Sequence, residues 1–461
     1  MSAGRESPLA IDVGATLDHG PFTPMQRCVV LLAALSIVFD GFDSQLIGFA
    51  IPVLMREWGV ARGAFAPVVA AGLIGMGVGS ACAGLIADRF GRRWAIIGSV
   101  LLFGAATCAI GFAPDIATIA GLRFVAGLGI GGALPSATTM TAEFTPARRR
   151  TVMVTATIVC VPLGGMLAGL FAHGVLPAYG WRGLFVIGGA LPLGLGALLV
   201  RALPESPRYL ARRPQRWAEL ARLLARMRRP VAPGAVFADA GEPAAHASSG
   251  FRALFAAGQA RDTLALWCAF FMCLLAVYSA FSWLPTMLIA AGLDVSTAGA
   301  GLTAYNLGGV LGALGCAFAI GRFGSRVPLA LCCVGGAASA AALLGVDAGA
   351  HTRWLIVGLG AHGLFVNAVQ STMYALCAHI YPTPVRATGT ASALAFGRLG
   401  AILSAFAGAA VITAGGAPAY LAMLAAAMGA VCVALLAVRR HIPRVRGGAA
   451  RVDEAFARPS A

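Results

Sequence analysis

Residues Ser36–Pro52 read SIVFDGFDSQLIGFAIP, inside a long apolar run that begins near Cys28. A run of that length is long enough to cross a bilayer as a helix. Asp40 and Asp43 do not belong in such a segment by composition, because each buried carboxylate costs roughly 2.5–3.5 kcal/mol at a helix centre. Their spacing of three residues puts both on one helical face. Two carboxylates kept on one face of a span point to a polar cavity inside a helical bundle, and so to function.

The rest of the chain fits a membrane protein. It has 461 residues, of which 59% are hydrophobic and only 11% charged, against about 25% charged in an ordinary soluble protein. Apolar segments of spanning length recur about twelve times. The prediction is an all-α membrane protein with about twelve transmembrane helices. Residues 1–26 read as a cytoplasmic N-terminal tail without the features of a cleaved signal peptide. A six-helix bundle follows at 27–201, then a cytoplasmic linker at 202–261, a second six-helix bundle at 262–438, and a cytoplasmic C-terminal tail at 439–461. Within the linker, Arg216–Arg229 places Leu220, Leu223 and Leu224 on one helical face, as in a helix lying on a membrane surface.

The net charge of +16 does not imply nucleic acid. All 34 basic residues are Arg. Counted along the chain, 28 fall in alternate loops starting from the N-terminus, and four (Arg56, Arg62, Arg182, Arg353) in the opposite loops. Arg123 and Arg398 fall inside spans. Positive loops remain in the cytoplasm, so both termini are expected there, in a multi-pass protein of the cell's inner membrane. The 11 Cys lie in or beside spans, and no disulfide framework follows.

The two halves repeat. Pro52 and Pro285 are 233 residues apart, as are ADRFGRR from Ala87 and IGRFGSR from Ile320. EFTPARRR, ending at Arg150, aligns with HIYPTPVR, ending at Arg386, at a spacing of 236. Two parallel six-helix repeats resemble the major facilitator superfamily, whose members bind substrate near the midplane between the halves. GLIADRFGRRW (Gly84–Trp94) resembles that superfamily's diagnostic cytoplasmic loop. There Asp88 can face a cation or a helix N-terminus, Gly91 supplies a tight turn, and Arg89, Arg92 and Arg93 keep the loop inside. The resemblance implies a conformational latch made by these residues with Glu143, Arg150 and Arg386. In the second copy Gly321 stands where Asp88 would be, so a weaker latch is expected there. PESPRYL (Pro204–Leu210) resembles a motif of sugar porters and organic-acid symporters, but the acidic signature of sugar porters after the last span is missing.

The resemblance narrows further. DGFDSQLIGFAIP, the fourth span with its following loop (Leu122–Arg150), and Tyr381–Ile402 resemble the aromatic acid:proton symporters. This implies proton-coupled uptake of an aromatic carboxylate of the hydroxybenzoate type. Arg123 lies about seven residues, or roughly 10 Å, into its span, at a depth that lets Asp43 or Asp40 pair with it. Asp40 and Asp43 are expected to carry protons, with Arg123 as counter-ion. Arg398 sits midway along its span and cannot lose its charge, so it is the expected receiver of a substrate carboxylate, through two hydrogen bonds. Asn367, Gln370 and Tyr374 form one polar stripe. With Tyr278, Trp283 and Phe396 they are the candidates for contacting the ring. Tyr305 of span eight is a further ring candidate, and His362 could relay protons, although such a residue is more often a satisfied buried histidine.

The function expected is secondary active transport by a monomer, with a small organic anion, protons and the lipid bilayer as partners. No nucleotide loop, metal cluster or nucleophile–base pair suggests an enzyme or a cofactor, and the drive would be a proton gradient. Other readings compatible with the same charges are a symporter for a non-aromatic organic acid, a proton-driven exporter, and a receptor that binds its ligand without moving it.

Overall fold

The computed structural model describes residues 11–232, 235–238, 254–255, 259–381 and 386–443, with the side chains of 378, 386 and 387 left out. The linker stretch Gly241–Gly250 and the tail beyond 443 lie outside the described residues. Ten helices are long and apolar enough to cross a membrane. Two of these, Ala147–Ala202 and Arg386–Ala437, are broken in the middle. The breaks are at Gly180 (φ 63°, ψ −170°) and Gly416 (φ 64°, ψ −152°). Each folds into two spans, which makes twelve among the described residues. Span one is Pro24–Trp58, two Ala66–Phe90, three Arg92–Ile110 and four Ile116–Phe144. Spans five and six flank Gly180. Span seven is Ala260–Ala290, eight Val295–Phe323, nine Arg326–Leu343 and ten Thr352–Ile380. Spans eleven and twelve flank Gly416.

Local chemistry sets the helix starts. Thr23 and Gln26 close a capping box ahead of Pro24, satisfying donors that the first turn leaves free. Asp115 accepts from the Thr118 N–H at 2.7 Å, and Asp294 from the Thr297 N–H at 3.1 Å, so both spans that follow begin on an acidic cap.

Packing within each half depends on glycine. A Cβ at Gly75 or Gly79 of span two would collide with the Phe124 or Leu128 carbonyl of span four, and one at Gly127 with the Gly72 carbonyl. Spans eight and ten repeat this. Gly308 and Gly312 lie against the carbonyls of Gly360 and Leu364, and Gly363 against that of Tyr305. Gly164 meets the Val38 carbonyl, and Gly400 the Phe271 carbonyl. These pairs keep the offsets of 233 and 236 found in the sequence, as do Gly180 and Gly416. Helices without a solvent-driven reason to associate gain from such close backbone approach.

The side that holds both ends of the bundle carries a cap. Strand Ile11–Asp12 pairs in parallel with Phe237–Ala238 of the linker. Helix Val13–Asp18 and helix Trp217–Arg226 bury Val13, Leu17, Leu220, Leu223 and Leu224 in one cluster that includes Phe144 and Ile37. The amphipathic helix therefore packs its leucines on the protein, and the membrane-surface reading is corrected. The described part of the N-terminal tail, from residue 11, is likewise docked, with Asp18 paired to Arg150.

Gly180 has open space around its missing Cβ, whereas Gly41 of span one lies on the Val161 backbone. Gly180→Ala is therefore expected to cost only the positive-φ, extended backbone that glycine adopts there, roughly 1–3 kcal/mol. Gly41→Ala must separate two spans and should destabilise considerably more. Thermal unfolding in detergent tests the order. Equal losses would contradict this account of the packing.

Candidate functional site

A cavity of about 570 Å³ lies between the halves. It is lined by Asp40 and Ser44 of span one, Met76 and Ser80 of span two, and Ile130 and Pro135 of span four. Val161 and Pro162 of span five complete the N-terminal wall. The opposite wall is Tyr278 and Phe281 of span seven, Asn367, Gln370, Ser371 and Tyr374 of span ten, and Ala391, Leu394 and Arg398 of span eleven. Ser80, Pro135 and Ala391 lie toward the ends of their spans on the termini side, so the cavity extends from the middle toward that side. On the opposite side the halves touch. Gln45 Nε2 donates to Asn306 Oδ1 at 3.1 Å, and Asn306 Nδ2 to Gln45 Oε1 at 2.7 Å. Gly48 lies on the Phe281 carbonyl, and Ser296 meets His173 Nδ1 at 2.9 Å.

The two aspartates divide. Asp43 is fully buried and pairs with Arg123, Oδ2 to Nη1, at 3.5 Å. Arg123 also donates to the Asp43 and Ser44 carbonyls at 3.3 and 3.4 Å, which holds span four on span one. Asp40 is also buried but lines the cavity, and its Oδ1 has no hydrogen-bond partner. Arg398 lines the same cavity, and Asp43 follows three residues on along span one. Arg398 Nη1 lies 2.8 Å from Tyr278 Oη and 2.6 Å from Met76 Sδ. Among the described residues its other donors have no hydrogen-bond partner.

The polar stripe is where the periodicity puts it: Asn367, Gln370 and Tyr374 all line the cavity, with Tyr278 on the same wall. Three aromatic candidates are corrected. Trp283 is buried in the core, and a Cβ at Gly408 would strike its ring. Phe396 stacks on Trp267 at 3.9 Å, away from the cavity. Tyr305 is fully buried against Phe281 and His362. Spacing along a helix does not reveal which neighbour covers a given face, and these three rings point at other helices. His362 is a packed histidine, its Nδ1 at 3.0 Å from the Gly336 carbonyl and 3.1 Å from Ser339 Oγ. Sequence reasoning missed Met76, Ser80, Ser371 and the Gln45–Asn306 pair. The amides carried a signal, since a polar amide inside an apolar span needs a partner.

At the termini side, Asp88 pairs with Arg92 at 3.0 Å, and Arg92 Nε lies 3.6 Å from Glu143. Glu143 accepts from the Ser206 hydroxyl. Glu205 accepts from the Arg93 N–H at 3.1 Å and the Ser206 N–H at 2.8 Å. It fills the space a Cβ at Gly91 (φ 98°) would need. Glu205 thus caps span three from a distant loop, and burial pushes its carboxyl above the ordinary range while these donors pull it back. Arg93 Nη2 donates to the Val200 carbonyl at 2.6 Å, and the Arg89 carbonyl accepts from Tyr209 Oη at 3.1 Å. Arg150 Nε donates to the Ala142 carbonyl at 3.0 Å. Arg386 opens span eleven, and its side chain lies outside the described residues. In the second copy of the loop, Ser325 exchanges hydrogen bonds with Ile442 after span twelve, each at 2.9 Å.

The family model of the Major Facilitator Superfamily matches residues 33–318 and 266–459. The chain belongs to that superfamily. It is 37% identical over 409 residues to a 4-hydroxybenzoate transporter of Pseudomonas putida, covering 87% of this chain and 90% of that one. To a gallate transporter of the same organism it is 34% identical over 429 residues, or 93% and 95% of the two chains. Among solved structures, the xylose transporter of E. coli in a partially occluded inward-open conformation superposes with a TM-score of 0.72 at 17% identity, over 91% of this chain and 99% of that one. The chain is therefore a multi-pass membrane transporter with the two-repeat facilitator fold, and its resemblance to aromatic acid carriers extends over most of its length.

The Asp88–Arg92–Glu143 chain lies far from the cavity. Asp88→Asn should lower turnover by roughly two- to thirtyfold, the range of a 0.5–2 kcal/mol coupling, with ligand affinity unchanged. Equilibrium binding and initial uptake rates on the same preparation check this. Lost affinity with turnover intact would remove the loop from a conformational role.

Proposed function

We propose that the chain imports an aromatic carboxylate of the hydroxybenzoate type together with protons. It would sit in the inner membrane as a monomer with both termini in the cytoplasm, where its arginine-rich loops would be retained. The observation that carries the reading is Arg398. It is a permanent cation in a cavity between the halves, with donors left over and aromatic side chains around it. A guanidinium of this kind can take a carboxylate by two parallel hydrogen bonds. The cavity volume falls in the range of small-molecule sites. Tyr278, Phe281 and Tyr374 offer ring edges and faces to an aryl group, and Asn367 and Gln370 offer polar contacts to ring substituents. The relatives that transport 4-hydroxybenzoate and gallate support the same class.

Transport would follow from exchange between two closures. With the cavity extending toward the termini side, the Gln45–Asn306 amides, Gly48 on Phe281 and His173 on Ser296 seal the opposite mouth. These contacts must part for the acid to enter from outside. None is an ion pair, so parting them does not strand a charge.

Arg398→Ala should weaken binding of 4-hydroxybenzoate by more than about a hundredfold, the effect of losing one partner of a buried charged pair. Arg398→Lys should recover little, because a point charge lacks the paired geometry. The neutral 4-hydroxybenzamide should bind wild type as weakly as the acid binds Arg398→Ala. Benzoate should bind better than cyclohexanecarboxylate. Calorimetric titration of the purified carrier reads all four, and a concentration ratio that follows an imposed pH gradient in proteoliposomes reads the coupling. Equal affinity for benzoate and cyclohexanecarboxylate would point instead to a general organic-acid carrier.

A further inference from the structure

The structure separates the two aspartates that share a face of span one. We infer that Asp40 and the carboxylate of the substrate compete for Arg398, so that binding of one acid places one proton on Asp40 while Asp43 keeps its charge. The inference rests on the aromatic-carboxylate reading above and assigns the coupled proton to one residue.

Four charges lie between the halves and near them: Asp40, Asp43, Arg123 and Arg398. They sum to zero when the cavity is empty. Asp43 is fully buried and away from the cavity wall, and Arg123 holds it by an ion pair and by two bonds to the span-one backbone. That pair balances its own charge, and neither member lines the cavity. Asp40 and Arg398 make a looser couple. Arg398 has neutral partners, Tyr278 Oη and Met76 Sδ, and the acid that shares the cavity wall with it is Asp40. Asp40 has a buried Oδ1 with no hydrogen-bond partner.

A carboxylate that takes the free donors of Arg398 changes the sum. Three anions then face two cations, and a buried anion without a counter-charge is strongly disfavoured. Of the three, the ligand is held by Arg398 and Asp43 by Arg123. Asp40 is the one left without a cation. It lines the cavity, so water there can deliver a proton. The step is an addition of H⁺ to one Asp40 oxygen, with no other bond made or broken, and it reverses when the acid leaves. The other titratable or charged groups around Asp40 are Asp43 on its own helix, Tyr278 of span seven, Tyr374 of span ten and Arg398 of span eleven. Spans two, four and five contribute no such group to the cavity. One acid anion and one proton then cross together without net charge.

The test is binding-linked proton uptake by the purified full chain in detergent, with 4-hydroxybenzoate as the probe. Titrations in buffers of different ionisation heat give the protons taken up per ligand. Wild type should take up close to one, and its affinity should rise by up to about tenfold per unit fall in pH across the window where uptake occurs. Asp40→Asn should take up none. Its affinity should be flat with pH and, at high pH, tighter than wild type, because the competitor for Arg398 is gone. A merely structural Asp40 would instead weaken binding at every pH. The double variant Asp43→Asn with Arg123→Gln, which removes that ion pair as a unit, should still take up a proton on binding, although its turnover falls. Proton uptake that persists in Asp40→Asn, or is lost in the double variant, overturns the assignment. Binding to wild type without proton uptake overturns the competition and leaves the substrate reading intact. Failure of 4-hydroxybenzoate and benzoate to bind wild type at any pH overturns the substrate reading, and this inference with it.

Discussion

Every ionised side chain inside the bilayer must have a counter-charge, and the Asp43–Arg123 pair is the place where this structure meets that requirement most completely. The two groups lie 3.5 Å apart and both are buried. The pair also fastens span four to span one through the backbone carbonyls of Asp43 and Ser44. Removing one partner would leave an uncompensated charge, which is far more costly than removing both. With Asp43 satisfied in this way, Asp40 is free to face the cavity. Among the described residues Arg398 is the one cation lining the cavity, and the proposed competition makes it available to Asp40 and to a ligand in turn.

That division of charge needs a rigid frame, and glycine supplies it. Backbone-on-backbone contacts such as Gly75 on Phe124, and Gly308 on Gly360, hold spans two, four, eight and ten at a separation that larger residues would not allow. The frame repeats between halves, but the charged chemistry does not. At the repeat offset of 233, Asp40 and Asp43 correspond to Cys273 and Ala276. At 236, Arg123 corresponds to Leu359, and Arg398 to Pro162. Duplicated packing thus carries a cavity with acids on one half and the cation Arg398 on the other. A charge couple across the plane where the halves move is suited to link binding to the change of conformation.

Much of this was legible in the chain itself. Twelve apolar segments, the arginine asymmetry between alternate loops and the offsets of 233 and 236 specify the span count and the repeat. Each follows from a one-dimensional constraint: helix rise against bilayer thickness, charge against translocation, and duplication. The polar stripe Asn367–Gln370–Tyr374 was legible for the same reason, since residues three and four apart share a face. Trp283, Phe396 and Tyr305 were not, because an aromatic ring in an apolar span is equally at home against a cavity, a neighbouring helix or lipid. The linker helix at Trp217–Arg226 shows the same limit. Its apolar face was evident, but the surface that covers it turned out to be the N-terminal tail and the end of the bundle.

The sequence by itself determined that four charges lie inside the spans, that two are acids on one helical face, and that the chain is built twice. Helical period and hydropathy act along the chain, so they can be read there. Only the tertiary structure decided which acid faces which arginine. Asp40 and Asp43 are three residues apart and equivalent by spacing, but Arg123 comes from span four and Arg398 from span eleven, and the distance between such groups depends on how separate helices pack. That packing sealed Asp43 against Arg123 and left Asp40 on the cavity wall.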